Sequence, residues 1–219
     1  MSNDQEKQFK VDIEEVINSK NPKLLKWMPG FAIRYLKRVI HQDDMNHFLM
    51  HNRELMGVDF AKAIVEYFKI KVNIIGLENI PKEGRFIFAA NHPQGAIDSM
   101  VLVSTVHSRL GELRFMVNDV LMFLAPLRCI FIPINLFGAQ SRALSEQMES
   151  AYKSDIQVLY YPAGLVSRKT KGKIYDLEWK KTIVTKARQY KRDIIPVYIH
   201  LRNSNFFYRL SKFRKFLGI

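Results

Sequence analysis

A chain of 219 residues, 47% of them apolar, can bury one substantial core, which excludes a disordered polypeptide. Lys and Arg number 34 against 21 Asp and Glu, a formal charge of +13 that points to an anionic partner: nucleic acid, a membrane surface or an acidic protein. The single cysteine, Cys129, excludes an intramolecular disulfide framework and any zinc site built on several thiolates.

The opening residues, MSNDQEKQFK, are polar and contain no apolar signal segment, so export is not expected. Residues 1–70 read as a helical extension. Asp12 to Asn18 suits a short helix ended by Asn21-Pro22, and Lys23 to Ile40 carries an apolar stripe broken at Pro29-Gly30. Between Asn21 and His41 stand Lys23, Lys26, Arg34, Lys37 and Arg38 with no acidic residue. Val58-Asp59 opens another helix, with Asp59 as its expected cap and Phe60, Ile64, Val65 and Phe68 on one face. His41, Asp44, His47 and His51 share a helical spacing, but no cysteine accompanies them. Asn46, Met50 and Arg53 mark an ordinary polar helix, so no metal site is expected.

From residue 71 to 219 strands and helices alternate. Strands are expected at Val72 to Ile75, Arg85 to Ala90, Arg114 to Val117, Cys129 to Ile134, Ile156 to Tyr160 and Ile194 to His200. Helices are expected at Ile97 to Ser108, Asp119 to Ala125, Ser141 to Ser154 and Leu177 to Tyr190. Strands separated by helices imply an α/β fold: a largely parallel, mixed sheet covered by helices. Val120 to Ala139 approaches the roughly 20 apolar residues of a membrane span, but Pro126, Arg128, Pro133 and Asn135 interrupt it. It reads instead as an apolar helix, a turn and a buried strand.

The most informative stretch is Asn91-His92-Pro93-Gln94-Gly95-Ala96-Ile97-Asp98, where an apolar strand passes through a turn into a helix. Ligands bind at the carboxyl ends of strands in open α/β sheets. A histidine there can serve as general base, with an aspartate one turn into the next helix to hold its ring. Taken alone, His92 and Asp98 read better as a polar loop residue and a helix-start carboxylate beside the dipole, since a lone His and Asp are common. Three further segments stand in order behind them: Phe131-Ile-Pro-Ile-Asn135, Tyr160-Tyr161-Pro-Ala163-Gly164-Leu-Val-Ser167-Arg168 and Ile194-Ile-Pro-Val197.

Together these segments resemble the four blocks of the glycerolipid acyltransferase superfamily, that of the bacterial 1-acylglycerol-3-phosphate acyltransferases, over roughly residues 71 to 200. Two departures stand out. Five residues, not four, separate His92 from Asp98, and Ala163 occupies the usual glutamate position. Both departures resemble one branch, the hemolysin-like or glycerol acyltransferases related to enzymes that make amino-acid lipids such as glycine and ornithine lipids. The leader Ser19-Lys-Asn-Pro-Lys-Leu-Leu-Lys26 is similar to that branch as well.

The resemblance implies acyl transfer from a thioester on acyl carrier protein or coenzyme A to a lyso-lipid or amino-acid-lipid acceptor. It implies His92 as base, Asp98 as its orienting partner, and no cofactor. It also implies substrate contacts by Asn91, Gly95, Asn135, Gly164, Ser167 and Arg168. The sequence does not name the oxyanion donors; backbone amides around Pro93 to Ala96 are the candidates. Cys129, read as part of a buried strand, is a poor nucleophile candidate. Asn135 falls where the wider family often has a phosphate-binding arginine, and Ala163 and Asn135 also admit a non-catalytic lipid-binding relative. The basic stretch Lys23 to His41 and the tail Asn205 to Leu217, with Arg209, Lys212, Arg214 and Lys215 among aromatics, suit an anionic membrane surface. A peripheral enzyme on the cytoplasmic face of the inner membrane is the expectation. A nucleic-acid-binding reading rests on charge alone, shows no recognised module, and leaves the blocks unexplained.

Overall fold

A computed structural model describes residues 10–135 and 141–216, with the side chains of residues 20 and 213–216 left aside. Among the described residues five helices come first: α1 (Ile13–Lys20), α2 (Pro22–Trp27), α3 (Gly30–Val39), α4 (Gln42–His51) and α5 (Gly57–Tyr67). The α/β portion follows as β1 (Phe86–Ala90), α6 (Ile97–Leu110), β2 (Leu113–Asn118), β3 (Phe131–Ile134), α7 (Arg142–Lys153), β4 (Gln157–Tyr160), β5 (Arg168–Thr170), β6 (Lys173–Tyr175), α8 (Thr182–Tyr190), β7 (Asp193–Val197) and α9 (Asn205–Phe216). Strands β1, β2, β3, β4 and β7 form one sheet in the order β3-β2-β4-β1-β7, every neighbouring pair parallel. The α/β expectation is borne out.

Side-chain alternation divides the core into two layers. Phe86, Phe88 and Ala90 of β1, Leu113, Phe115 and Val117 of β2, Phe131 and Leu159 face a cluster completed by α4, α5 and α6 through Phe48, Leu49, Phe60, Ala61, Leu102 and Val103. Ile87, Ala89, Met116, Ile132 and Val158 face the opposite cluster, completed by Ala151 and Tyr152 of α7 and Ile183 and Ala187 of α8. Helices α4 and α5 therefore share the sheet's core, whereas α2 and α3 bury no residue completely.

Several expected elements differ. Val72 to Ile75 is exposed and joins no ladder among the described residues, because β-branched propensity needs a partner strand to become structure. Asp119 to Ala125 forms 3-10 turns at Asp119–Phe123 and Ala125–Leu127, where Pro126 lacks the amide that a continuing helix requires. The helix expected from Leu177 starts only at Thr182. Before it, the Lys180 amide donates to Pro162 O at 3.1 Å and Trp179 Nε1 to Asp176 at 2.9 Å, and both hold the chain out of helical form. Asp59 stands in the first turn of α5, near its positive dipole end, while Met56 takes the cap position. Cys129 lies exposed in the turn before β3 and not within the strand. No described helix is long and apolar enough to cross a membrane, and residues 136–139 of the apolar stretch lie outside the described set.

One buried cation ties the second layer together. Arg192, 4% exposed, donates to the carbonyls of Tyr152, Phe86, Ile156, Ala151 and Ser154, so it closes the end of α7 and the entry to β1 and β4. Arg192→Met keeps the bulk but leaves these carbonyls without a donor. It is expected to cost about 3 kcal/mol, read from urea midpoints at unchanged m. Arg192→Lys should recover only part of that loss, because an ammonium has fewer donors and no planar fork.

Candidate active site

Neighbouring strands β1 and β4 send their chains to opposite faces of the sheet, β1 to α6 on the first layer and β4 towards α8 on the second. Such a switch point opens a crevice at the carboxyl ends of the strands. His92 leaves β1 there and Tyr161 leaves β4 beside it. Their rings stack at 3.8 Å between centroids with 19° between planes. Cys129, at the amino end of β3, lies at the opposite edge of this parallel sheet, which removes it from the chemistry.

The His92 loop folds around a buried carboxylate. The Asp98 side chain is 0% exposed, and its Oδ2 lies 3.1 Å from His92 Nδ1. The same carboxylate accepts from the amides of Gln94 at 3.0 Å, Gly95 at 3.0 and 3.1 Å, and Ser99 at 2.9 Å. The fifth intervening residue leaves room for this wrap, with Gln94 Oε1 accepting from the Ile97 amide at 2.9 Å. Gly95 adopts φ +115°, and a Cβ there would come within 3.2 Å of Val166. Burial alone would raise the Asp98 pKa. The hydrogen bond and charge of His92, with the amides of Gln94 and Gly95, outweigh it and hold the carboxyl below its usual value. An ionised carboxylate only accepts, so Nδ1 is the donor and a neutral ring keeps its lone pair on Nε2.

Around the imidazole lies a narrow cleft of about 60 Å³ lined by Ser99, Phe115, Met116, Val117, Leu121, Ile134 and Tyr161. Among its described lining residues His92 is the only basic one. Burial, then the charge of Asp98, push the Tyr161 phenol well above its ordinary pKa. It stays neutral, with its hydroxyl 3.2 Å from Ser99 Oγ. A larger cavity of about 610 Å³ opens beyond Asn91 and Pro93, walled by Trp179, Tyr198 and Leu201 with His200 and Arg202 on its lining.

The other expected contact residues are placed as follows. Asn91 bridges to the chain beyond β7, donating to Ile199 O at 2.9 Å and accepting from Ile199 N at 2.6 Å. Ser167, 2% exposed, directs its hydroxyl to Asp176 at 2.6 Å, and its amide donates to His92 O at 2.7 Å. Asn91, Gly95 and Ser167 therefore build the loop that carries His92. Gly164 turns the chain after β4 at φ +69°, its amide donating to Tyr161 O at 2.9 Å. The Arg168 guanidinium donates to Val166 O and lies 5.6 Å over the Phe207 ring, which links β5 to α9. Asn135 is exposed just past Ile134, which lines the cleft. The amides of Gln94 and Gly95 are both engaged by Asp98, and Pro93 has none to offer an oxyanion. Reading the sequence alone assigns no role to Tyr161, Ser99, Asp176, Trp179 or Arg202. The one available signal is Asp176 as the first acid after the basic run Lys169 to Lys173.

A carboxyl whose folded pKa lies below the unfolded value of about 3.9 contributes stability that is full above that value and is lost as pH falls through the folded one. Asp98→Asn is therefore expected to be less stable than the wild type at neutral pH. The gap should narrow once the pH drops below about 4, as read from urea midpoints across an acid series.

The acyltransferase family model matches residues 15–219, running through the leader, the sheet and the tail alike. The lyso-glycine lipid O-acyltransferase of Bacteroides thetaiotaomicron is 42% identical over 212 residues, covering 96% of this chain and 78% of that protein. The protein of the same name from Phocaeicola vulgatus is 43% identical over 212 residues, covering 96% and 76%. On this match, with the histidine and aspartate of its first block in contact at the head of the sheet, the chain belongs to the acyltransferase family of enzymes.

Proposed function

We propose that the chain acylates the free hydroxyl of a lyso-lipid of the glycine-lipid type, taking a fatty acyl group from a thioester on acyl carrier protein or coenzyme A. The contact of His92 Nδ1 with Asp98 at 3.1 Å carries the mechanistic part of this reading. The names of the two relatives support the acceptor. His92 Nε2 takes the proton of the acceptor hydroxyl as its oxygen attacks the thioester carbonyl. Collapse of the tetrahedral intermediate forms the ester C–O bond and breaks the C–S bond, and His92 returns the proton to the leaving thiolate. Asp98 holds the ring in the tautomer that exposes Nε2 and balances the imidazolium that forms.

The charge of the cleft agrees with an acceptor bearing little negative charge near the reacting hydroxyl. A phosphomonoester carries nearly two charges and calls for clustered cations. The described cleft offers none besides His92, Ala163 is a buried methyl, and Asn135, exposed just past Ile134, brings no charge. A single carboxylate is better matched by one guanidinium, such as that of Arg202 on the adjoining cavity wall.

We further propose that the enzyme meets its lipid as a peripheral protein at an anionic membrane surface, on the cytoplasmic leaflet. Trp27 is 88% and Phe31 68% exposed on α2 and α3, and Tyr35 meets Phe206 of α9 edge-on at 5.8 Å. Leader and tail thus share one aromatic surface, with Lys23, Lys26, Arg34, Arg38, Arg209 and Lys212 exposed on the same helices. The side chains of Arg214 and Lys215 lie outside the described set.

His92→Ala is expected to lower acyl transfer by about 100- to 10,000-fold with the fold intact, and Asp98→Asn to be similarly severe. Mass spectrometry of product formed from an acyl thioester and lyso-glycine lipid reads both. Lysophosphatidic acid should be the poorer acceptor with the same donor. A preference for it, or full activity of His92→Ala, contradicts the reading. In a separate measurement, co-sedimentation with phosphatidylglycerol-containing vesicles should weaken as salt rises, since the Debye length is about 8 Å at physiological ionic strength. Replacing Lys23, Lys26, Arg34 and Arg38 by Gln should weaken it at every salt concentration. Equal binding to neutral vesicles at low salt would count against the surface.

A further inference from the structure

The β1 ladder ends before the residue that matters most. Its last pair with β7 is Ala90 with Val197, so beyond Ala90 the sheet no longer fixes the main chain. The β5–β6 hairpin supplies the missing support. Its two-residue turn, Lys171-Gly172, takes φ +48° and +82°, the doubly positive conformation that suits the twist of a tight hairpin. The register pairs Thr170 with Lys173, Lys169 with Ile174 and Arg168 with Tyr175, so the next residues outward are Ser167 and Asp176.

These two residues grip His92 from both sides. Asp176 Oδ1 accepts from the His92 amide at 3.2 Å, and the Ser167 amide donates to the His92 carbonyl at 2.7 Å. The Ser167 hydroxyl donates to the same Asp176 oxygen at 2.6 Å, and Trp179 Nε1 donates to the other at 2.9 Å. The carboxylate is thereby fixed on both oxygens before it holds the peptide. Helix α9 braces the hairpin from outside through Arg168 over Phe207.

We propose that Asp176 is the positioning residue for His92: by holding its main-chain amide, Asp176 sets the point from which the imidazole reaches both Asp98 and the acceptor hydroxyl. The inference rests on His92 acting as the base. Two carboxylates then divide the work, Asp98 fixing the ring and Asp176 fixing the backbone that carries it. The Ala163 methyl leaves the turn after β4 without a carboxylate, and the hairpin brings one to the loop from 13 residues further along the chain.

The test compares Asp176→Ala, Asp176→Asn and Asp176→Glu in steady-state acyl transfer from acyl-CoA to lyso-glycine lipid. A misplacement on the order of 1 Å can cost about 100-fold, so Asp176→Ala should lose about 10- to 100-fold in kcat, a larger factor than the change in either KM. Asp176→Asn keeps an acceptor oxygen for the His92 amide and should recover part of the loss. A second background separates positioning from general structure. In His92→Gly with imidazole added in solution, the free base is not placed by the main chain, so adding Asp176→Ala should not lower the rescued rate.

Wild-type kcat in Asp176→Ala, or an equal loss in the rescued background, would overturn the proposal. If Asp176→Ala does not fold, Asp176→Glu decides, because its longer side chain displaces the amide while the charge stays. A loss of kcat in that folded protein supports the proposal, and an unchanged kcat refutes it. His92→Ala run alongside keeps the two claims apart. Activity surviving there defeats the general-base reading, whereas a dead His92→Ala beside a fully active Asp176→Ala defeats only this inference.

Discussion

A carboxylate with no solvent exposure must be surrounded by donors, and the head of this sheet is shaped by that requirement at Asp98. Its oxygens draw the amides of Gln94, Gly95 and Ser99 inward, and that wrap forces Gly95 to a conformation that L side chains rarely adopt. The last donor is His92 Nδ1, so the residue that satisfies the buried charge is also one that lines the cleft. Structural need and proposed chemical role coincide on a single hydrogen bond.

The rest of the fold delivers partners to that point. Parallel strands place every carboxyl end at one edge, and the switch between β1 and β4 keeps that edge open. Tyr161, leaving β4, limits the tilt of the imidazole by stacking on it. Asn91 fastens the end of β1 to Ile199, while the hairpin holds the main chain of His92 itself. The small apolar cleft is lined by His92 and the wider aromatic cavity by its neighbours Asn91 and Pro93. A two-substrate reaction needs access of that kind.

How much of this was legible depended on which signal each residue carries. The sheet strands announced themselves because both faces are buried, which leaves near-continuous apolar runs such as Phe86 to Ala90. The first block was readable from its place at a strand end and from its resemblance to a family branch. The β5–β6 hairpin was not, because Arg168-Lys-Thr170 and Lys173-Ile-Tyr175 are mostly exposed and show no alternation. Ser167 looked like a substrate contact because its partner, Asp176, is brought beside it only by the hairpin register. Conversely, Val72 to Ile75 has strand-forming residues without a strand, since pairing is a tertiary property that propensity does not contain.

The central claim is that Asp98 fixes His92 in the tautomer that leaves Nε2 available. Nitrogen-15 NMR of histidine-labelled protein, followed across pH in the wild type and in Asp98→Asn, tests it most directly. The account predicts that the neutral His92 ring carries its proton on Nδ1 in the wild type and loses that preference in the variant. A wild-type ring protonated on Nε2, or a tautomer indifferent to Asp98→Asn, would contradict it.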